Sequence, residues 1–326
     1  MILSYLLRLL CLCLASFFLL NAFGVLLVRA FAGRVLHFAE TQPAALAARF
    51  LLILRLLPSA LAMLFVVLLG VPSYVRLEPS VASEQVGVVC ILLGILGLAT
   101  WWGAILRAMR ALYLSIHHNR CFVAAARETP APAHSPRMLV IEGDRPVLAL
   151  SGLLRPRLLL SSSLLRALSP DELRAALAHE HAHRASRDNW KRLLFLLAPD
   201  ALPFRNPLYV IEQRWAKFTE WAADDRAVAG DSQRALSLAS ALLRVARLGA
   251  NPPLPYLSTS LLAGGHDLRA RVDRLLQPAI PALSSRSQTR HRLLAISLLS
   301  VGVLTALLAA PAALHFVHEL QELLLR

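Results

Sequence analysis

Cysteine is scarce in this sequence, and so is negative charge. The 326 residues include four cysteines, and 20 Asp and Glu stand against 34 Lys and Arg. Cys11, Cys13 and Cys90 lie within apolar stretches and Cys121 stands alone, which predicts neither a disulfide framework nor a cysteine metal site. No helix-turn-helix, zinc-finger or Gly-x-Ser-x-Gly pattern is present, which argues against a nucleic-acid reader and against a serine hydrolase.

Apolar residues, by contrast, are abundant. They make up 57% of the chain, which is too much for an ordinary soluble domain. Four stretches without Asp, Glu, Lys or Arg have the ~20 residues that a helix needs to cross ~30 Å of hydrocarbon. They are residues 9–28, 56–75, 85–106 and 293–314. The sequence therefore predicts four transmembrane helices.

Two alternatives to membrane spans remain open. The first stretch could be a cleaved signal peptide, although its apolar run is longer than usual and no small-x-small cleavage site stands out. The stretches could also be buried core helices. Trp101 and Trp102, near the end of the third stretch, favour a membrane because indole rings suit the headgroup level.

Arginines are distributed unevenly between the connecting loops. The first loop contains Arg29, Arg34, Glu40, Arg49 and Arg55, and the second contains Arg76, Glu78 and Glu84. By the positive-inside rule, the first loop is cytoplasmic and the second lies outside. Residues 107–292 are then cytoplasmic, and we expect a multi-pass protein of the inner (cytoplasmic) membrane. The same rule accounts for the net charge of +14 without invoking nucleic acid.

Short β-prone runs begin the soluble domain between the third and fourth spans. Residues 107–118 continue as helix, and residues 124–137, rich in Ala and Pro, indicate a linker. Residues 138–142 and 146–151, separated by Gly143 and Asp144, predict a hairpin, to which residues 157–161 could add a strand.

Helices follow these strands. Ser169, Pro170 and Glu172 form the signature of a capping box with proline in the first turn, so a helix should begin there and run through His183. Further helices are predicted over residues 208–229, 232–248 and 267–276.

The first of these helices contains the pattern His-Glu-x-x-His. His179 and His183 lie one turn apart on one face, where both can bind a single metal ion. Glu180 beside them can act as the general base that takes a proton from water as it attacks a peptide carbonyl. The alternative is a solvated helix face that happens to contain histidines. His181 lies about 200° around the helix from His179 and should face away.

Acidic residues on the next long helix can complete this site. Glu220 is a candidate third metal ligand, because two histidines and one glutamate leave a fourth zinc position open for water. Asp224, one turn further, could accept the spare N–H of a ligand histidine. A solvated acidic face is the alternative for both residues. This ligand set favours one Zn²⁺ ion, although cobalt or manganese could bind in vitro.

Several segments together resemble the BlaR/MecR-type membrane zinc metallopeptidases, which are metallopeptidase family 56 and of the gluzincin type. They are LSGLLRPR at 150–157, LAHEHAH at 177–183, RDN at 187–189, NP at 206–207, EWAADDRA at 220–227 and LRARV at 268–272. The resemblance implies an edge strand before the active-site helix, and three spans before the protease domain with one after it. The HtpX/Ste24-type membrane peptidases, which share the His-Glu-x-x-His pattern, are related.

The expected fold is a mostly α membrane protein with four transmembrane helices and an inserted α+β zincin-like metallopeptidase domain. We expect three transmembrane helices in residues 1–118, a cytoplasmic metallopeptidase domain in 119–290, and a last helix with a short external tail in 291–326. Only a dozen residues follow the last span. We therefore expect no extracellular penicillin-binding sensor, and β-lactam sensing does not carry over from the family.

Some residues stay undecided at this point. Asp188 could orient a ligand or brace the helix end, or it could be an exposed acid among arginines. Tyr256, His266 and Arg271 are candidates for the group that stabilises an oxyanion, and the sequence does not choose among them.

The leading hypothesis for function is a zinc endopeptidase that cleaves a protein on the cytoplasmic side of the membrane, in signalling by regulated proteolysis. Its partners would be the lipid bilayer and a protein substrate, either a transcriptional repressor or a membrane protein, with no direct contact with nucleic acid. An HtpX-like quality-control protease is one alternative. Another is a non-catalytic metal-binding receptor or scaffold, against which Glu180 argues because a structural zinc site needs no general base.

Overall fold

A computed structural model of the chain describes residues 5–78, 86–129, 138–142, 147–153, 156–200, 208–249, 257–260, 268–277 and 311–325. These residues form a mostly helical structure in which long apolar helices adjoin a smaller part that contains a sheet. We call the part within residues 126–277 the α+β domain.

Three helices among the described residues are long and apolar enough to cross a membrane. The first is α1, Tyr5–Ala30. The second runs without a break through α3, Ala44–Phe65, one π-helical turn, Val66–Gly70, and α4, Val71–Leu77. The third is α5, Val88–Ala125, and a short α2, Ala32–Glu40, joins α1 to α3. These helices cover the first two predicted spans and the third from Val88 onwards, and α3 and α5 extend well beyond the predicted spans towards the α+β domain.

The fourth predicted span, residues 293–314, lies outside the described residues except for its last turn. That turn begins α12, Pro311–Leu325. The Ser73 hydroxyl donates to the Leu314 carbonyl at 2.7 Å, and Gln321 Nε2 donates to the Gly70 carbonyl at 3.1 Å. Helix α12 therefore packs on α4 and the π-helical turn, at the end of the bundle away from the α+β domain.

The sheet has five strands in the order β1-β2-β4-β3-β5. They are β1, Ala126–Thr129, β2, Met138–Ile141, β3, Leu148–Ser151, β4, Arg157–Ser161, and β5, Ser258–Ser260. Strands β2 and β4 are parallel, and the other neighbouring pairs are antiparallel. Each face of β4 is covered, which agrees with its uninterrupted run of leucines.

Two predictions about this sheet are wrong. Strands β2 and β3 do not form a hairpin, because β4 lies between them and pairs with both. The predicted linker over residues 124–137 does not begin where expected, because α5 continues to Ala125 and β1 follows directly. Residues 130–137 lie outside the described part of the chain.

Six helices of the α+β domain lie within the described residues. They are α6, Ser162–Ala167, α7, Pro170–Ser186, α8, Asp188–Leu197, α9, Tyr209–Val228, α10, Ser232–Arg247, and α11, Leu268–Leu276. The predicted starts of α7, α9, α10 and α11 are confirmed to within one residue, whereas α8 was not predicted. Leucines of β3 and β4 pack with α7 and α10 in one apolar core, to which Leu160, Leu164, Ala176 and Leu242 contribute.

A second apolar core joins the α+β domain to the membrane helices. Phe195 of α8 and Ile211, Trp215 and Phe218 of α9 pack against residues of α1 and α3, among them Leu51. One face of α9 is thus buried on α3. Its other face packs against α7, and the candidate metal-site residues lie between these two helices.

Candidate metal centre

Helix α7 supplies two histidines and one glutamate. Its start is held by reciprocal hydrogen bonds, in which the Ser169 amide donates to Glu172 Oε2 at 2.8 Å and the Glu172 amide donates to the Ser169 hydroxyl at 3.3 Å. This cap fixes where the helix begins, and helical geometry places His179 and His183, one turn apart, on the same face. Both histidines are buried. Their rings lie edge to face, 4.7 Å apart between centroids.

Each histidine has a carboxylate at its Nδ1 atom. Asp224 Oδ1 of α9 lies 2.8 Å from His179 Nδ1, and Asp188 Oδ2 lies 2.8 Å from His183 Nδ1. Asp188 reaches back because Arg187 has left-handed backbone angles, with φ 55°, which end α7 and turn the chain into α8. A carboxylate at Nδ1 favours the proton on that atom, so in the neutral, metal-binding form of each ring the lone pair lies on Nε2.

The two Nε2 atoms and the Glu220 carboxylate converge on one point. The Nε2 atoms are 3.1 Å apart, and Glu220 oxygens lie 3.4 Å from His179 Nε2 and 3.5 Å from His183 Nε2. One ligand atom from each of the three residues lies within 4.8 Å of the other two. Both Glu220 oxygens are buried and accept no hydrogen bond from the described residues. Two lone pairs and a carboxylate facing each other fit a metal cation.

The charges of the site also favour a cation. Burial alone would lower the pKa of His183, but Glu220 and Asp188 raise that pKa to about 10. Burial alone would raise the pKa of Glu220, but His183, His179 and Arg271 hold that pKa well below its usual value. The ligand carboxylate is therefore ionised at neutral pH. The negative charges of Glu220 and Asp188 stabilise positive charge between the two Nε2 atoms, where a metal ion would bind.

Arg271 of α11 holds the two acidic residues of α9. Its Nε and Nη2 atoms donate to the two Asp224 oxygens at 2.9 and 2.7 Å, and Nη1 lies 3.3 Å from Glu220 Oε2. The side chain is buried, so this fork-shaped contact is shielded from water. Arg271 therefore fixes both carboxylates next to His179: Asp224 at its Nδ1 atom and Glu220 near its Nε2 atom.

Glu180 is buried next to these ligands, with 1% of its surface exposed. Burial raises the pKa of its carboxyl group, and the nearby His179 and His183 offset part of that rise. A carboxylate whose pKa is shifted towards neutrality can both accept and return a proton near pH 7. Of the residues in this site, Glu180 is the one whose surroundings suit a general base.

A cavity of about 310 Å³ adjoins His183 and the end of β3. The Asn189 amide donates to the Gly152 carbonyl at 3.0 Å, and Trp190 Nε1 donates to the Leu153 carbonyl at 3.2 Å. These contacts tie the start of α8 to the chain that follows β3. Exposed arginines Arg184 and Arg187 also line the cavity.

The structure brings together all five residues proposed from the sequence for the site, which are His179, Glu180, His183, Glu220 and Asp224. His181 is exposed on the other side of α7, as expected. Of the three oxyanion candidates, Arg271 lies against Glu220 and Asp224, whereas Tyr256 and His266 lie outside the described residues. Asp188, left undecided from the sequence, is buried against His183.

A comparison with family models finds one that matches residues 86–275, more than half of the chain. Its description is BlaR1 peptidase M56. The matched region begins before α5 and ends within α11, so it contains every residue of the site described above. A comparison with curated proteins gives no match.

Proposed function

Because the chain belongs to the BlaR1 peptidase M56 family, we propose that it is a membrane-embedded zinc endopeptidase that cleaves a protein substrate on the cytoplasmic side. The family match confirms the resemblance seen in the sequence. The protein is thus of a peptidase family and has three candidate membrane helices among its described residues. Its metal, the side of the membrane and the substrate are the subject of the proposal.

The observation that carries the proposal is the convergence of three ligand atoms beside a buried general base. His179 Nε2, His183 Nε2 and the Glu220 carboxylate face one point, and Glu180 is buried next to them. Two histidines and a glutamate form a zinc ligand set of hydrolytic enzymes that leaves one position open. A purely structural zinc site would instead be closed by a fourth protein ligand.

In the proposed reaction, each residue has a distinct task. A zinc ion bound by these ligands would supply Lewis acidity, which lowers the pKa of water and polarises the scissile carbonyl. Glu180 accepts the proton of the attacking water and then delivers it to the leaving amine. Asp188 and Asp224 keep the proton of each histidine on Nδ1, and Arg271 keeps Glu220 and Asp224 ionised.

The packing of the α+β domain supports cleavage on the cytoplasmic side. The α+β domain packs against the end of the bundle formed by α2 and the start of α3, which is the arginine-rich first loop. An excess of arginine marks cytoplasmic loops. The cavity lined by His183 also adjoins the chain that follows β3, and we propose that an extended peptide substrate lies there beside His183.

The proposal is tested by metal content and peptidase activity of the detergent-purified protein. We expect about one zinc per chain and cleavage of casein in the wild type. Glu180→Gln should keep the zinc and lose the cleavage, and His183→Ala should lose both. His181→Ala is the matched control on the other side of α7, and it should retain both. A wild type that binds no zinc would disprove the proposal.

For the biological substrate we propose a regulator whose cleavage relays a signal. The support is the family, since the name of the matching model is that of BlaR1. Trapping with Glu180→Gln should then enrich one or a few proteins, among them a transcriptional repressor. A broad set of captured membrane proteins would instead indicate a quality-control protease.

A further inference from the structure

Arg55 is a buried arginine in the apolar helix α3. Its side chain is 1% exposed, and it bridges two carboxylates of the α+β domain. Its Nη2 atom lies 2.6 Å from Asp200 Oδ1, and its Nε atom donates to Glu212 Oε1 at 2.7 Å. Its guanidinium carbon also lies 6.0 Å from the centre of the Phe195 ring of α8. Arg55 thus contacts three places in the α+β domain. They are Phe195 of α8, Asp200 in the turn that follows α8, and Glu212 of α9.

The same turn is held by two other membrane helices. Asn21 of α1 donates to the Pro199 carbonyl at 3.0 Å, and the Ser59 hydroxyl donates to the same carbonyl at 3.3 Å. Arg107 of α5 lies 2.9 Å from Asp200 Oδ2. Residues 198–200 are therefore fastened to α1, α3 and α5 at once. Such a density of buried polar contacts fixes the end of α8 in one position.

Both helices that meet at Arg55 lead to the metal site. Helix α8 runs from Asp188, which contacts His183, to the turn that contains Asp200. Helix α9 carries Glu212 two turns before the ligand Glu220, about 12 Å along the helix axis. Phe195 and Trp215 pack edge to face, 4.7 Å apart, and join the two helices between these ends. Neither α8 nor α9 contains a proline or a glycine, the usual causes of a kink, so the spacing of the two helices at Arg55 affects their spacing at the site.

We propose that Arg55 is a positioning residue for the metal site, which acts through Asp200 and Glu212 by fixing α8 and α9 relative to each other. This inference rests on the proposed metal site and goes beyond it, because it assigns part of the site's geometry to a membrane helix. The planar guanidinium suits this task, since its fork of donors holds two carboxylates in one arrangement. The positions of the ligands then depend on the position of the membrane helix α3.

The competing explanation is that Arg55 only neutralises two buried acids. Removing it alone would leave Asp200 and Glu212 without their shared partner, which can unfold the protein whatever the role of Arg55. The test therefore uses the triple variant Arg55→Met, Asp200→Asn, Glu212→Gln, which removes all three charges at similar volume. Arg55→Lys keeps the charge but cannot hold both carboxylates with a fork. Arg214→Met is the control, because Arg214 of α9 also pairs with the membrane-helix region, at Glu40, but on the exposed surface.

The readouts are the zinc affinity of the full-length protein in detergent, by competition with a chromophoric chelator, and the visible spectrum of the cobalt form. We expect zinc affinity to fall about tenfold in the triple variant and in Arg55→Lys, at the low end of the effect of residues that orient metal ligands. The cobalt spectrum should change in both, and Arg214→Met should match the wild type. Zinc affinity within about twofold of the wild type in both variants would refute the inference and leave the metal site intact. A wild type without zinc would overturn the metal site itself.

Discussion

His183 and Asp188 are joined by a hydrogen bond of 2.8 Å between Nδ1 and Oδ2, across the left-handed turn at Arg187. Asp188 is also the first residue of α8, and its other oxygen lies 2.6 Å from Lys191 Nζ. Burial alone would raise the pKa of Asp188, but the hydrogen bond and charge of His183, together with Lys191, lower it. The carboxylate behind His183 is therefore ionised and fixed in place.

Asp188→Asn should weaken zinc binding about tenfold or more, because residues that orient a ligand histidine have effects of this size. The amide keeps the volume of the carboxylate but not its charge, so the His183 ring becomes a weaker donor to the metal. Chelator competition measures the change. Asp171→Asn, at the exposed start of the same helix, is the control and should bind zinc like the wild type. If Asp188→Asn binds zinc as tightly as Asp171→Asn and the wild type do, Asp188 has no part in the site.

Arg271→Met should destabilise the metal-free protein by about 3–5 kcal/mol, because it leaves two buried carboxylates, Glu220 and Asp224, without their arginine. Thermal unfolding in detergent measures the loss. Arg269→Met on the same helix is the control, since that side chain is 96% exposed and should leave the unfolding temperature unchanged. If Arg271→Met unfolds at the wild-type temperature, the buried contact contributes nothing to stability.

Much of the site could be predicted because its signals are local. The spacing of His179 and His183 and the cap at Ser169 each depend on a few neighbouring residues, and helical geometry does the rest. Glu220 and Asp224 were found the same way, as two acids one turn apart on a second helix. Residues that act through a turn were harder to assign. Asp188 reaches His183 only because Arg187 adopts positive φ, which is uncommon for a residue other than glycine and has no clear sequence signal.

Long-range pairing could not be predicted. The runs that became β2 and β3 are adjacent in sequence and suggested a hairpin, but β4 takes the place between them. Hydrophobic pattern identifies a strand and does not identify its neighbour. The partners of Arg55 could not be predicted either, because the sequence identifies Arg55 only as one positive charge of the first loop. Its carboxylate partners lie about 150 residues away in the chain, so only the folded structure relates them.

Glu172→Gln should reduce stability in a pH-dependent manner. Burial alone would raise the pKa of Glu172, but hydrogen bonds from Ser240 and Ser169 and the charge of Arg244 lower it. A carboxylate whose pKa is lower in the folded than in the unfolded state contributes stability above its unfolded pKa of about 4.3. That contribution is lost as the pH falls through the lower, folded pKa. At pH 7 we expect a loss of about 1 kcal/mol, because Gln keeps the capping-box pattern but lacks the charge that strengthens the hydrogen bonds from Ser169 and Ser240.

The stability of the metal-free wild type and Glu172→Gln should therefore converge as the pH falls from 6 towards 3. Unfolding of both proteins by denaturant at several pH values measures this difference. The metal-free form is used so that proton competition at the ligands does not contribute. A difference that stays constant over this range would mean that the charge of Glu172 adds nothing beyond what the amide retains.

Gly97→Ala should loosen the contact between α1 and α5, the two membrane helices that pack most extensively with each other. A Cβ atom at Gly97 would overlap the Leu14 carbonyl oxygen and lie 2.9 Å from its carbon, both of which are backbone atoms that cannot rotate away. Small residues at such contacts let membrane helices approach closely. Overpacking of this kind costs about 1–3 kcal/mol.

Gly103→Ala is the control on the same helix, since its Cβ would meet only the tip of Arg107, at 3.8 Å. We expect Gly97→Ala to lower the unfolding temperature in detergent and Gly103→Ala to leave it unchanged. Equal unfolding temperatures for the two variants would mean that α1 and α5 leave room for a methyl group at Gly97.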